Sequence, residues 1–140
     1  MTALVVDASV WVSAADATDR FCAASRTFLD ALARRRVTIA LPAWTRLEVA
    51  CALARRTRDT ERGRLLAEKL LQSPLIAEEA LDASLLAEAL RHGSKAFLRA
   101  GDALYATVTT RGGGDLVSWD DELIRRASAI TPEAWLAELG

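Results

Sequence analysis

Short apolar runs rich in β-branched residues recur along this chain, each followed by a longer stretch with helical spacing. "ALVV" (Ala3 to Val6), "VTIAL" (Val37 to Leu41), Leu75 to Ala77 and "DLVSW" (Asp115 to Trp119) have the length and composition of strands. Helices are expected at Ala8 to Ala15 and Arg20 to Arg36, the latter with Phe21, Ala24, Phe28, Leu29 and Leu32 spaced near about 3.6 residues. Pro42 suits the first turn of a third helix, which runs through "AWTRLEVACALARR" to about Arg58. Further helices follow at Asp59 to Leu71, at Leu81 to Arg91 (ending at "HGS"), from Gly101 to "RGGG", and at Asp120 to Ala127. Thr131 and Pro132 open a last one as cap and first helical residue. Strand–helix alternation of this kind folds as α/β with a mostly parallel sheet, and helices in excess of strands cover both of its faces. At 140 residues, without linker, repeat or low-complexity segment, the chain reads as a single domain spanning 1–140.

Net charge is −1 at pH 7, too small to steer the whole molecule toward nucleic acid. The basic residues are unevenly placed. Lys69 and Lys95 are the only lysines among 18 basic residues, and Arg55, Arg56, Arg58, Arg62 and Arg64 crowd into "ARRTRDTERGR". Arginine suits bidentate phosphate contact, although such a run also reads as a solvated helix face. Cys22 and Cys51 lie in apolar helical contexts, where a free thiol behaves as a small buried hydrophobe and suits a reducing compartment. Asp7 and Asp16 interrupt the N-terminal apolar run, and no basic segment precedes it. No apolar stretch approaches the roughly 18 residues of a membrane helix. A soluble cytoplasmic protein with no membrane partner is expected.

In open parallel sheets, ligands bind beyond the carboxyl ends of the strands. Asp7 ends the first strand, Asp120 follows the last, Asp102 opens "GDALYATV", and Glu48 lies inside the helix after the second strand. Parallel topology can bring all four to one edge. Capping competes with that reading: Asp7 and Ser9 can cap the first helix, and Asp102 and Asp120 stand at helix starts, where the dipole favours acids. Glu48 is different, because its same-face neighbours Trp44, Cys51 and Ala52 are apolar. A carboxylate in that setting demands a partner, either a cation such as Arg46 or Arg55 or a bound ion. Two carboxylates about 4 Å apart repel by about 4 kcal/mol at an effective dielectric of about 20. Four together call for divalent cations or for protonation. All-oxygen ligation points to a hard ion, Mg²⁺ or Mn²⁺. His92, the only histidine, reads as a helix-end or loop residue, and no Cys/His grouping suggests zinc.

Taken together, "VVDASVWV", "LPAWTRLEVACAL", "GDALYATV" and "LVSWDDEL" resemble the PIN-domain ribonucleases, and among them the VapC-type toxins of bacterial toxin–antitoxin pairs. The resemblance spans nearly the whole chain, with the four motifs in order. It implies a three-layer α/β/α PIN-like domain with a mostly parallel sheet of about five strands. It also implies one acid per motif at a Mg²⁺ (or Mn²⁺) site: Asp7, Glu48, Asp102 and Asp120, with Ser9 of "DAS" beside the metal. Asp121 adjoins Asp120, so the fourth position can slip by one, and Ser118 replaces a commoner Thr. The implied activity is metal-dependent endonucleolytic hydrolysis of RNA by the toxin of a type II toxin–antitoxin system. Asp7 and Asp102 would be direct ligands, and Glu48 either a ligand or the group that orients a water. The implied partners are an RNA substrate, a cognate VapB-type antitoxin and a second copy in a homodimer.

RNA has to be held as well as cut. Arg46, Arg55, Arg56, Arg58 and Arg99 are candidates for phosphate contact, and Trp11, Trp44, Trp119 and Tyr105 for stacking on a base, with core packing the alternative for the tryptophans. Two other enzyme classes fit poorly. An aspartate-nucleophile phosphatase wants a second acid where Ser9 stands, and "RGGGD" precedes a strand instead of linking a strand to a helix as a dinucleotide site requires. The non-enzymatic alternative is a PIN-like protein-binding module whose acids are helix caps.

Overall fold

The computed structural model describes residues 2–139. Its element order is β1 (Val5–Val6), α1 (Ala8–Ala15), α2 (Cys22–Arg34), β2 (Ile39–Pro42), α3 (Trp44–Thr57), α4 (Thr60–Leu70), β3 (Ile76–Glu79), α5 (Ala83–Ala96), α6 (Ala100–Gly112), β4 (Leu116–Val117), α7 (Asp121–Ala127) and α8 (Pro132–Leu139). β1 pairs in parallel with β4, in the register Val5↔Leu116 and Val6↔Val117. β2 pairs in parallel with β3, from Ile39↔Ile76 to Pro42↔Glu79. A parallel bridge, Leu4↔Ile39, joins the two pairs, with Leu4 N–H donating to Thr38 O at 2.9 Å and Ala40 N–H to Leu4 O at 2.8 Å. A second bridge, Val117↔Ile130, adds a fifth parallel position beyond β4. The order across the molecule is therefore β3–β2–β1–β4–Ile130.

That order fixes where a site can form. The chain winds outward from β1 through β2 to β3, then crosses to the other side of β1 for β4. The reversal opens a crevice beyond the carboxyl ends of β1 and β4, the position that open parallel sheets use for ligands. Asp7 and Asp120 sit at its two lips. Helices enclose the sheet: α6 packs on β1, β2 and β4 with α5 behind it, while α1, α2, α3 and α4 pack on one another. Val5, Val6, Val10, Phe28, Val49, Leu85, Tyr105, Val117 and Leu123 are buried in the core between them. Among the described residues, no helix is long and apolar enough to cross a membrane.

Three expectations are corrected. Pro42 ends β2 and does not open α3; Ala43 is the N-cap and the helix begins at Trp44. α5 continues through His92, Gly93 and Ser94 to Ala96, so His92 lies within a helix. Gly93 is tolerated there because α5 closes on α6, where an added Cβ would come within 3.0 Å of Ala103 Cβ. α6 does stop where expected, at Gly113, which takes the left-handed conformation (φ 72°). Of the cysteines, Cys22 is buried, but Cys51 is exposed on the solvent side of α3.

Candidate active site

Asp7, Ser9, Glu48, Asp102 and Asp120 line one cleft of about 350 Å³, together with Trp44, Arg56, Arg99 and Gly101. The acids arrive from four segments: the end of β1, the second turn of α3, the first turn of α6 and the start of α7.

Asp7 is the N-cap residue of α1 by position, yet its side chain makes no capping hydrogen bond. Instead it accepts a hydrogen bond of 2.6 Å from Ser9 Oγ. Ser9 Oγ in turn accepts from the Trp119 N–H at 3.0 Å, and Ser118 Oγ accepts from the Asp120 N–H at 2.9 Å. These hydroxyls tie the start of α1 to the segment after β4, so Asp7 and Asp120 are located by the same small network. Asp7 is 5 % exposed and makes no ion pair among the described residues. Burial pushes its carboxyl up to about 7, although Ser9 and Ser118 oppose this.

Glu48 is held by neutral donors. Its Oε1 accepts from Tyr105 Oη at 2.8 Å and from Trp44 Nε1 at 3.2 Å. The partner demanded by the apolar helix face is thus supplied by two aromatic side chains, and not by Arg46 or Arg55. Arg46 instead engages Glu78 and the Leu71 carbonyl. Burial raises the Glu48 carboxyl despite those two donors.

The opposite wall carries a cation. Asp120 divides its oxygens: Oδ1 caps α7 by accepting from the N–H groups of Glu122 (2.8 Å) and Leu123 (3.2 Å), and Oδ2 meets Arg99 Nη2 at 2.7 Å. Capping and site membership are therefore both true of this residue. Burial alone would push Asp120 up, but Arg99 and the α7 N–H groups outweigh it and hold the carboxyl below its usual range. Asp102 Oδ2 also meets Arg99, at 2.9 Å from Nε, yet burial still raises its carboxyl. Asp121 is exposed, outside the cleft lining.

One acid was not anticipated. Glu122 joins Asp102 and Asp120 in a group whose oxygens lie within 4.8 Å of one another, and Arg99 Nε lies 3.1 Å from its Oε2. An acid in the first turn of a helix reads as an ordinary response to the dipole, so only the proximity of α6 reveals it. The aromatic candidates divide. Trp11 is buried with Nε1 donating to Val6 O, and Tyr105 is buried and committed to Glu48. Trp119 stacks on Phe21 at 4.0 Å. Trp44 alone among them lines the cleft.

Beside the cleft lies a basic trough lined by Ala52, Arg55, Arg56 and Arg58, contiguous with it through Ala52 and Arg56. Arg56 Nη1 is anchored to Asp16 and Asp19, while Arg55 and Arg58 make no ion pair among the described residues. The donor set of the cleft suits a hard divalent ion: it is all carboxylate and hydroxyl oxygen, and two of its acids lack a cationic partner.

Known structures share this architecture. PAE2754 from Pyrobaculum aerophilum is 26% identical, with 99% of this chain and 89% of that chain covered and a TM-score of 0.74. Mycobacterium tuberculosis VapC20, described as a sarcin-ricin loop cleaving toxin, is 18% identical over 88% of this chain and 95% of that one, with a TM-score of 0.72. VapBC2 from Rickettsia felis, solved with a DNA fragment of its promoter, is 14% identical over 91% and 96%, with a TM-score of 0.68. No curated protein matches the chain by sequence. The PIN domain family matches residues 4–129, a span that holds all four acids, and the chain belongs to that family.

Proposed function

We propose that this protein is a divalent-metal-dependent endoribonuclease and the toxin of a type II toxin–antitoxin pair. The observation that carries the reading is the convergence of Asp7, Glu48, Asp102 and Asp120 from four chain segments on the crevice between β1 and β4. Toxin–antitoxin proteins among the structural neighbours support it. The helix-cap alternative is weakened by Asp7, which stands at a cap position and caps nothing.

Asp7, Asp102 and Asp120 would hold Mg²⁺ or Mn²⁺, with Ser9 fixing the Asp7 carboxylate. Such an ion, when bound, lowers the pKa of a water and offsets charge growing on the phosphoryl oxygens. Glu48 is oriented through Oε1 by Tyr105 and Trp44, which leaves Oε2 to direct the attacking water. The trough of Arg55, Arg56 and Arg58 would carry the flanking phosphates, contributing affinity without sequence information. Trp44 at the cleft wall is placed for an unstacked base. A cognate antitoxin and a homodimer are proposed on the family resemblance, and a cytoplasmic setting goes with them.

The test is cleavage of fluorescent single-stranded and hairpin RNAs with Mg²⁺, with Mn²⁺ and with EDTA. Metal-dependent cutting that Asp7→Asn abolishes is the expected result. Absence of both cutting and metal-induced thermal stabilisation would refute the assignment.

A further inference from the structure

Arg99 sits where the negative charge of the cleft is densest. Its Nη2 lies 2.8 Å from Asp102 Oδ2 and 2.7 Å from Asp120 Oδ2, and its Nε lies 3.1 Å from Glu122 Oε2. One guanidinium therefore serves three carboxylates from two elements. At their mutual spacing of 4.8 Å or less, those carboxylates would otherwise repel one another.

Asp120 does not depend on Arg99 for its position, whereas the Asp102 side chain takes its only hydrogen bond among the described residues from Arg99. Asp120 is fixed through Oδ1 by the backbone of α7, and Asp102 is buried in the first turn of α6. Arg99 is the exposed partner. Its side chain is 61% exposed, and its hydrogen bonds among the described residues run only to Asp102 and Asp120. The competition this sets up is specific. Asp120 Oδ1 is committed to α7, so a cation that uses Asp120 meets Arg99 on the same Oδ2.

Resting on the nuclease reading above, we propose that Arg99 is an internal counter-ion which a divalent cation displaces from Asp102 and Asp120, and which then binds a phosphate of the RNA. The negative charge of the cleft is offset in part at both stages. Without an ion, Arg99 offsets one unit of the charge that Asp102, Asp120 and Glu122 carry. With the ion in place, the released guanidinium stands at the rim, where the incoming phosphodiester offers a planar, bidentate anion match. By linkage, the factor by which Arg99 weakens metal binding is the factor by which metal weakens the Arg99 pairs.

Calorimetric titration of MnCl₂ into the purified full chain, Arg99→Gln, Arg99→Lys and Asp7→Asn tests this, with KM for a fluorescent RNA measured at saturating Mn²⁺. Arg99→Gln should bind Mn²⁺ about five-fold tighter than the unaltered protein, the size expected for releasing two partly exposed ion pairs. Its KM should rise about ten-fold as a phosphate contact is lost. Arg99→Lys keeps the charge without the fork, so its Mn²⁺ affinity should stay within about two-fold of the unaltered protein while KM still rises. Equal or weaker Mn²⁺ binding by Arg99→Gln overturns the proposal, as does an Arg99→Lys that binds as tightly as Arg99→Gln. A chain that binds no Mn²⁺ before any substitution overturns the nuclease reading itself, which separates the two failures.

Discussion

The two walls of the cleft treat the same charge in opposite ways. On one wall, Asp7 and Glu48 receive only neutral donors, the Ser9 hydroxyl for the first and the Tyr105 hydroxyl and Trp44 indole for the second. On the other, Arg99 bridges Asp102, Asp120 and Glu122. Protonation follows: burial drives Asp7 up to about 7, while Arg99 and the α7 backbone hold Asp120 below the usual carboxylate range. Neutral donors aim a carboxylate without removing its demand for a cation. A resident cation meets that demand at Asp120 and only in part at Asp102, and then competes with any ion that arrives.

The largest expected effect lies on the uncompensated wall. Asp7→Asn keeps shape and the Ser9 contact while deleting the charge, so RNA cleavage should fall by about 1,000-fold or more. The same variant should melt higher than the unaltered protein in EDTA at pH 8, because a buried unpaired carboxylate is removed. An Asn variant that cuts normally would show that this wall is structural and that the contrast has no catalytic meaning.

Stability against pH should differ between Asp7 and Asp120 in sign and in window. Asp7 has a folded pKa of about 7 against 3.8 for the free side chain. The folded state then binds the extra proton between those values, and metal-free stability declines as pH rises from about 4 to 7, by up to about 4 kcal/mol. Asp120 is depressed instead, so its contribution is present above its free value and is lost only as pH falls below about 4. Urea unfolding in EDTA at pH 5 and pH 8 should show the decline in the unaltered chain and a shallower one in Asp7→Asn, where the raised carboxyls of Glu48 and Asp102 remain. A flat profile in both proteins would mean that water or relaxation already satisfies Asp7.

How much of this was legible in the sequence depends on the range of the interaction. The strand–helix alternation carried the parallel sheet, and the acids at strand ends carried the site, because both follow from local pattern and topology. Pro42 misled, since a proline at the end of a strand and one at the start of a helix leave the same local signature. Gly93 misled because its reason is the approach of α5 to α6, which no window of α5 contains. Glu48 was legible as an anomaly: an acid among apolar neighbours needs a partner. That the partners would be Trp44 and Tyr105 was hidden. Tyr105 lies 57 residues away and reads from the sequence as a base-stacking candidate. Cys51 reads as buried by composition, yet it is exposed on α3.

Tyr105 therefore gives the smallest but most discriminating test of the comparison. Tyr105→Phe removes the hydroxyl that donates to Glu48 Oε1 at 2.8 Å and leaves Trp44, at 3.2 Å, as the remaining donor. The ring stays in its core position, so stability should change by about 1 kcal/mol or less. If neutral donors aim Glu48 for the reaction, kcat/KM should fall about ten-fold. The Tyr105 hydroxyl also lowers the Glu48 pKa against the effect of burial. Its loss lets that pKa rise, and the acidic limb of the pH–rate profile should move to higher pH. A purely structural tyrosine would change the melting temperature and leave that limb in place, whereas a shifted limb at nearly unchanged stability would tie the neutral-donor wall to the chemistry.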